Sequence, residues 1–189
     1  MRTDLQLWMR NTSDILRGKP WALKFTKTLQ AVVEFVQDNQ WQGACHAVSS
    51  VFYVLLAEQG ISSVLCIGEV QIGVRAFNHS WIEIDGEVCD AAIISTLNER
   101  FHFLPTINGL NVETKKPTDL KYGVVTSLAD DPPTRHIKTA SFTSFMDEFP
   151  YHRDGLWSVV LAIGKKIGVN SDVATLRTGY SSTKWNVKN

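Results

Sequence analysis

Three side chains able to run thiol chemistry occur along the chain in the order Cys45, His79, Asp90. A thiol attacks a carbonyl as its thiolate. An imidazole can take the thiol proton, and a carboxylate can hold that imidazole in one tautomer and steady the imidazolium. Cys45 follows Gly43, where the apolar pattern begins a helix near residue 44. The mouth of a helix offers unpaired N–H groups and the positive end of the dipole, which favour an anion, so position alone makes Cys45 a candidate nucleophile. The oxyanion formed on the attacked carbonyl needs donors. The backbone N–H of Cys45 is one, and Gln40, Gln42 or the indole N–H of Trp41 are candidates for the second.

The dipeptide Asp85-Gly86 between two β-rich runs is a two-residue hairpin signal. It pairs Ile84 with Glu87, Glu83 with Val88, Ile82 with Cys89 and Trp81 with Asp90, and further out His79 with Ala92. In that register His79 and Asp90 share one sheet face as diagonal neighbours, about 7–8 Å apart at the backbone. A loop one residue longer sends them to opposite faces, because the side-chain period is two. Trp81 and Glu83 share the face of His79. Trp81 reads as core packing with a secondary role lining the pocket, and Glu83, beside the turn, as exposed.

The remaining thiols and imidazoles read differently. Taken alone, Cys45 would be a small buried hydrophobe, and only the company of His79 and Asp90 favours chemistry. Cys66, between Leu65 and Ile67, and Cys89, opposite Ile82, read as core. His46 lies about a hundred degrees around the helix from Cys45 and reads as a surface residue or a support to the site rather than its base. His102, His136 and His152 stand in loop-like segments and read as solvated. No C-x-x-C or H-x-x-x-H spacing is present, so no metal is expected. G-x-S-x-G, P-loop, H-E-x-x-H and Rossmann glycine patterns are also missing, and no cofactor is implied.

The elements that must position these groups follow from hydrophobic period. Helices are predicted over about residues 3–17, 20–39 and 44–59, the second on the stripe Trp21, Phe25, Leu29, Val32, Val33 and Val36. Strands are predicted over 64–70, 77–84 and 87–93. Residues 105–135 read as irregular surface with one strand at 122–126, serving either as a lid or as a plain connector. Helices over 141–149 and 155–167 follow, and residues 169–189 read as a polar tail, ordered in part at best. With no internal repeat and no linker, the expectation is one α+β domain over residues 1–189 with its core at about 20–168.

Charge sets bounds on partners. The 189 residues carry 19 Lys+Arg against 19 Asp+Glu. That balance lacks the basic footprint of a nucleic-acid binder and gives no reason to expect an anionic membrane surface. No apolar run approaches a bilayer span and the first residues lack a signal-peptide core, so a cytoplasmic protein is expected. Three cysteines without an export signal argue against a disulfide framework.

A cysteine opening a helix, then a strand carrying His79-Ser80-Trp81-Ile82-Glu83-Ile84, then a hairpin and Asp90, resembles the transglutaminase-like superfamily with its papain-like core, in a small member of bacterial type. The resemblance covers about residues 40–92. It implies a nucleophile helix packed on an antiparallel sheet and a Cys-His-Asp acyl-transfer site at Cys45, His79 and Asp90. The cross-linking enzymes carry Trp after the nucleophile, where this chain has His46. The expectation is therefore a thioester on Cys45 resolved by water, as in a peptidase, amidase or deamidase, more than protein cross-linking. A peptide or protein substrate, or a small amide, would suit such a site. The alternative is an inactive domain of the same fold whose cleft binds a peptide or protein partner.

Overall fold

The computed structural model describes residues 2–96, 103–150 and 152–188. Three helices open the chain: α1 (Arg2–Ile15), α2 (Ala22–Asp38) and α3 (Cys45–Glu58). In α2 the buried set includes Phe25, Leu29, Val32, Val33 and Val36, the stripe that its sequence period predicts. By contrast α3 is buried nearly all round, from His46 through Leu56, because it is packed between α2, α6 (Gly155–Ile167) and the sheet. Leu156, Val159, Val160 and Ile163 form the buried side of α6.

The sheet is built on β1 (Val64–Ile72) and β2 (Arg75–Ile84), antiparallel along their whole length from Ile72↔Arg75 to Val64↔Glu83. The Asp85-Gly86 turn has φ of 55° and 82°, as a tight hairpin loop requires. It sets β3 (Glu87–Cys89) in the expected register, Ile84↔Glu87 to Ile82↔Cys89. A short hairpin, β4 (Thr106–Ile107) with β5 (Leu110–Asn111), stands apart, and β6 (Lys121–Val124) pairs with β1, so the main order is β3-β2-β1-β6. The molecule is α+β, with helices covering one side of a curled antiparallel sheet.

Alternation along the strands divides two cores. Leu65, Ile82, Ile84 and Cys89 face the helices. Cys66, Val70 and Trp81 face the other way and are closed over by Ile93, Leu120 and half-buried Tyr122. Both Cys66 and Cys89 are buried.

Three expectations need correction. The third strand does not reach residue 93, and Trp81↔Asp90 and His79↔Ala92 do not pair. After Cys89 the chain leaves β2, Asp90 exchanges two backbone hydrogen bonds with Thr106, and Ala92–Ser95 form a 3-10 turn. Residues 105–135 are more regular than expected, carrying β4, β5, β6 and α4 (Pro132–Thr139), whose N-terminus is capped by Asp131 accepting from Thr134 N–H. The tail is also ordered. After α5 (Phe142–Asp147) and α6 come α7 (Val173–Gly179), capped by Asp172, and β7 (Asn186–Val187), parallel to β1. Buried Leu176, and half-buried Trp185 against Phe142 and Phe145, anchor it, contacts that its polar composition does not advertise.

Candidate active site

The departure of β3 carries Asp90 under His79. His79 Nε2 and Asp90 Oδ2 are 2.8 Å apart, and the two side chains are 0% and 1% exposed as residues. The carboxylate has three further donors. Ala92 N–H and Ile93 N–H donate to Oδ1 at 2.9 and 3.0 Å, and the Tyr122 hydroxyl donates to Oδ2 at 2.8 Å. A buried carboxylate is tolerable only with such partners. The expected meeting of His79 and Asp90 occurs through this turn rather than across a ladder.

Cys45 is the first residue of α3 and is half-buried. Gly43, with φ of 65°, makes the sharp entry and donates its N–H to Ser95. Ala44 at the N-cap supplies no side-chain acceptor, so the first-turn N–H groups point at whatever lies at the mouth. The His79 ring meets the thiol from the other side. Its Nδ1 is buried without a hydrogen-bond partner, while Cys45 is near enough to act on the ring electrostatically. Burial is the largest influence on His79 and opposes its charge, but the Asp90 carboxylate and then Cys45 outweigh it, raising the pKa to about 10. Burial instead pushes the Cys66 and Cys89 thiols up to about 12.

A cavity of about 460 Å³ opens beside these groups. Gly43, Cys45 and His46 of the α3 entry line it, together with Arg75 through His79 of β2. Phe103 and Pro133 add apolar wall, and Asp131 at the start of α4 borders it, so part of the 105–135 segment does reach the site.

The model of the transglutaminase-like superfamily matches residues 9–106, just over half of the chain. This chain belongs to the transglutaminase-like superfamily. No curated protein and no solved structure gave a significant match. The transglutaminase-like match contains Cys45, His79 and Asp90 and ends at β4, so Tyr122, α4 and the tail lie beyond it. Cysteine-dependent acyl transfer is the general chemistry of the superfamily.

Several expected members of this transglutaminase-like site lie elsewhere. Gln40 and Gln42 are exposed, and Trp41 packs edge-on against Phe35 and tilted against Phe149. None of the three is among the described residues lining the cavity. Trp81 is 1% exposed in the second core, with its indole N–H donated to Glu83. Glu83 is not exposed as expected but accepts from Lys188 as well, at 2.8 Å.

Of the two expected places for His46, surface or support, it takes the second. It is buried, with Nδ1 2.6 Å from Ser80 Oγ and Nε2 3.4 Å from Thr134 Oγ1, so it ties the nucleophile helix to the strand of His79 and to α4. Burial first, and the neighbouring His79 second, lower its pKa to about 4. Of the histidines expected in solvent, His136 is exposed and faces Glu148, His152 stacks half-buried on Phe149, and His102 lies outside the described residues. Among the described residues no group of three His, Cys, Asp or Glu side chains could hold a metal ion. No helix among them is long and apolar enough to cross a membrane.

Tyr122 is the neighbour of the site that sequence reasoning missed. The Tyr122 partner is 32 residues away in sequence, and no local pattern announces it.

Proposed function

We propose that the chain is a cysteine acyl-transfer enzyme acting on an amide or related carbonyl. The reading is carried by one observation. A fully buried imidazole is held on Nε2 by Asp90, and its Nδ1 has no partner beside a cysteine at a helix mouth.

Cys45 gives its thiol proton to Nδ1 of His79, and Asp90 on Nε2 steadies the imidazolium. The sulfur bonds to the carbonyl carbon, and the oxyanion is met by the Cys45 N–H. As the C–N bond breaks, His79 gives its proton to the leaving amine, and a thioester remains. Water, losing a proton to the same ring, then attacks the thioester, releasing the acid and restoring the thiol. Hydrolysis is favoured over cross-linking because admitting an amine while excluding water takes a dedicated acceptor pocket.

The test is the rate of Cys45 alkylation by iodoacetamide at pH 6.5. The expected rate exceeds that of an unfolded-chain cysteine at least about tenfold, and His79→Ala abolishes the excess. Equal rates in folded protein, unfolded chain and His79→Ala would leave a binding domain without catalysis.

A further inference from the structure

The turn that brings Asp90 to His79 has a second consequence, for β2. Because β3 ends at Cys89, it pairs only with Ile82, Glu83 and Ile84, while β1 pairs with β2 all the way down to Arg75. Among the described residues, no strand covers the other edge of β2 below Ile82.

The direction of each backbone group follows from the hairpin. Around a two-residue loop Ile84 and Glu87 exchange hydrogen bonds, so Ile84 and Ile82 turn their N–H and C=O toward β3. Glu83, Trp81, His79 and Phe77 then turn theirs toward β1, and Ser80, Asn78 and Ala76 turn theirs away from it. Ser80 obeys this parity, since its carbonyl accepts from Ser49 Oγ of α3 at 2.7 Å. Among the described residues nothing pairs with the outward main-chain groups of Ala76 and Asn78.

Those groups open on the site. Arg75, Ala76, Phe77, Asn78 and His79 line the same cavity as Cys45. Side chains alternate between faces, so five consecutive residues on one cavity present it with a strand edge rather than a face. Such an edge is a template for another strand, and folded proteins normally cover it.

We propose that the substrate of Cys45 is an extended peptide that adds to β2 as a strand at Ala76 and Asn78 and so delivers its scissile carbonyl to Cys45 and His79. Two outward N–H and C=O pairs lie two residues apart, about 7 Å, which is the repeat of an extended chain. A small amide can satisfy one pair and not both. Apolar Ile72, Phe77 and Pro133 flank the edge and receive the peptide's side chains. The proposal rests on the acyl-transfer reading above, and its test separates the two.

The probes are acetylated tetrapeptidyl chloromethyl ketones with aromatic and aliphatic side chains, against acetylglycyl chloromethyl ketone as the short control with the same reactive group. Labelling of Cys45 is followed by intact-protein mass spectrometry. The best tetrapeptide should label at least about 100-fold faster than the control, the worth of two to four hydrogen bonds. N-methylation at alternate residues should each slow it about tenfold, and at the intervening residues less than about twofold. Tetrapeptides no faster than the control, or N-methyl effects without a period of two, would overturn strand addition while leaving a His79-dependent control reaction, and hence the enzyme reading, intact. A control reaction indifferent to His79→Ala would remove both.

Discussion

Tyr122 and Asp90, 32 residues apart, meet at 2.8 Å, and the carboxylate oxygen that accepts the phenol is the same Oδ2 that holds the His79 ring. Asp90 is thereby gripped from two strands and from its own following turn. The two ways of loosening it are separable. Asp90→Asn keeps an oxygen for the Ala92 and Ile93 N–H groups but removes the charge that raises the His79 pKa. His79 should then titrate well below its wild-type range in NMR, and Cys45 alkylation at pH 7 should fall at least about tenfold. Tyr122→Phe keeps the ring on Trp81, 5.2 Å between centroids, and loses one donor. It should cost about 1 kcal/mol of stability and slow alkylation less than Asp90→Asn does. An unchanged His79 titration in Asp90→Asn would contradict this account.

The two buried histidines make stability depend on pH in opposite senses. His46, lowered to about 4 mainly by burial, stays unprotonated between pH 6.5 and 4 while the unfolded chain binds a proton there. Its contribution is present above pH 6.5 and is lost as pH falls through that window, at most about 3 kcal/mol. His79 is raised, so its contribution is complete below pH 6.5 and is lost as pH climbs toward its folded value. Urea unfolding should show a maximum near pH 6.5. His46→Gln should flatten the acid limb and His79→Gln the alkaline one, and an acid limb equally steep in His46→Gln would refute the assignment.

The three thiols should separate by reactivity and by packing. With Cys66 and Cys89 pushed up to about 12 by burial, brief alkylation at pH 7 should modify Cys45 alone, as read by peptide mapping. Cys45→Ala should abolish that labelling at a stability cost under about 1 kcal/mol, since the thiol is only half-buried. Phe52→Ala should cost about 3–5 kcal/mol, because that ring is 1% exposed and sits edge-on against Phe25 at 5.4 Å. The opposite ranking would make Cys45 a packing residue.

The tail has its own test at Gly68. A Cβ there would stand 2.7 Å from the Lys188 carbonyl oxygen and 3.3 Å from the Trp81 ring. Gly68→Ala should therefore push the last strand off β1, at a cost of about 1–3 kcal/mol in denaturant unfolding. The Lys188 N–H, bonded to Ile67 at 2.9 Å, should lose hydrogen-exchange protection first. Protection equal to wild type would show that the tail tolerates the added methyl.

Local rules carried the reading a definite distance. The helix start at Cys45 and the pairing of β2 with β3 as far as Cys89 follow from hydrophobic period and from a two-residue turn, signals confined to a dozen neighbouring residues. The continuation of that ladder to Asp90 and Ala92 failed because Thr106, 16 residues away, competes for the Asp90 backbone. His46 reads as a support or a surface residue until α4, 88 residues on, closes over it through Thr134.

The order of thiol, imidazole and acid, the hairpin turn and the two-sided alternation of the strands are therefore properties of the sequence itself, since they depend on dihedral preference and on where apolar residues recur. Which donors surround Asp90, that His46 is buried, and that Ala76 and Asn78 of β2 line the cavity of Cys45 were decided only in the folded chain. Each depends on segments far apart in sequence competing for the same hydrogen bonds and the same space, and no local pattern records the winner.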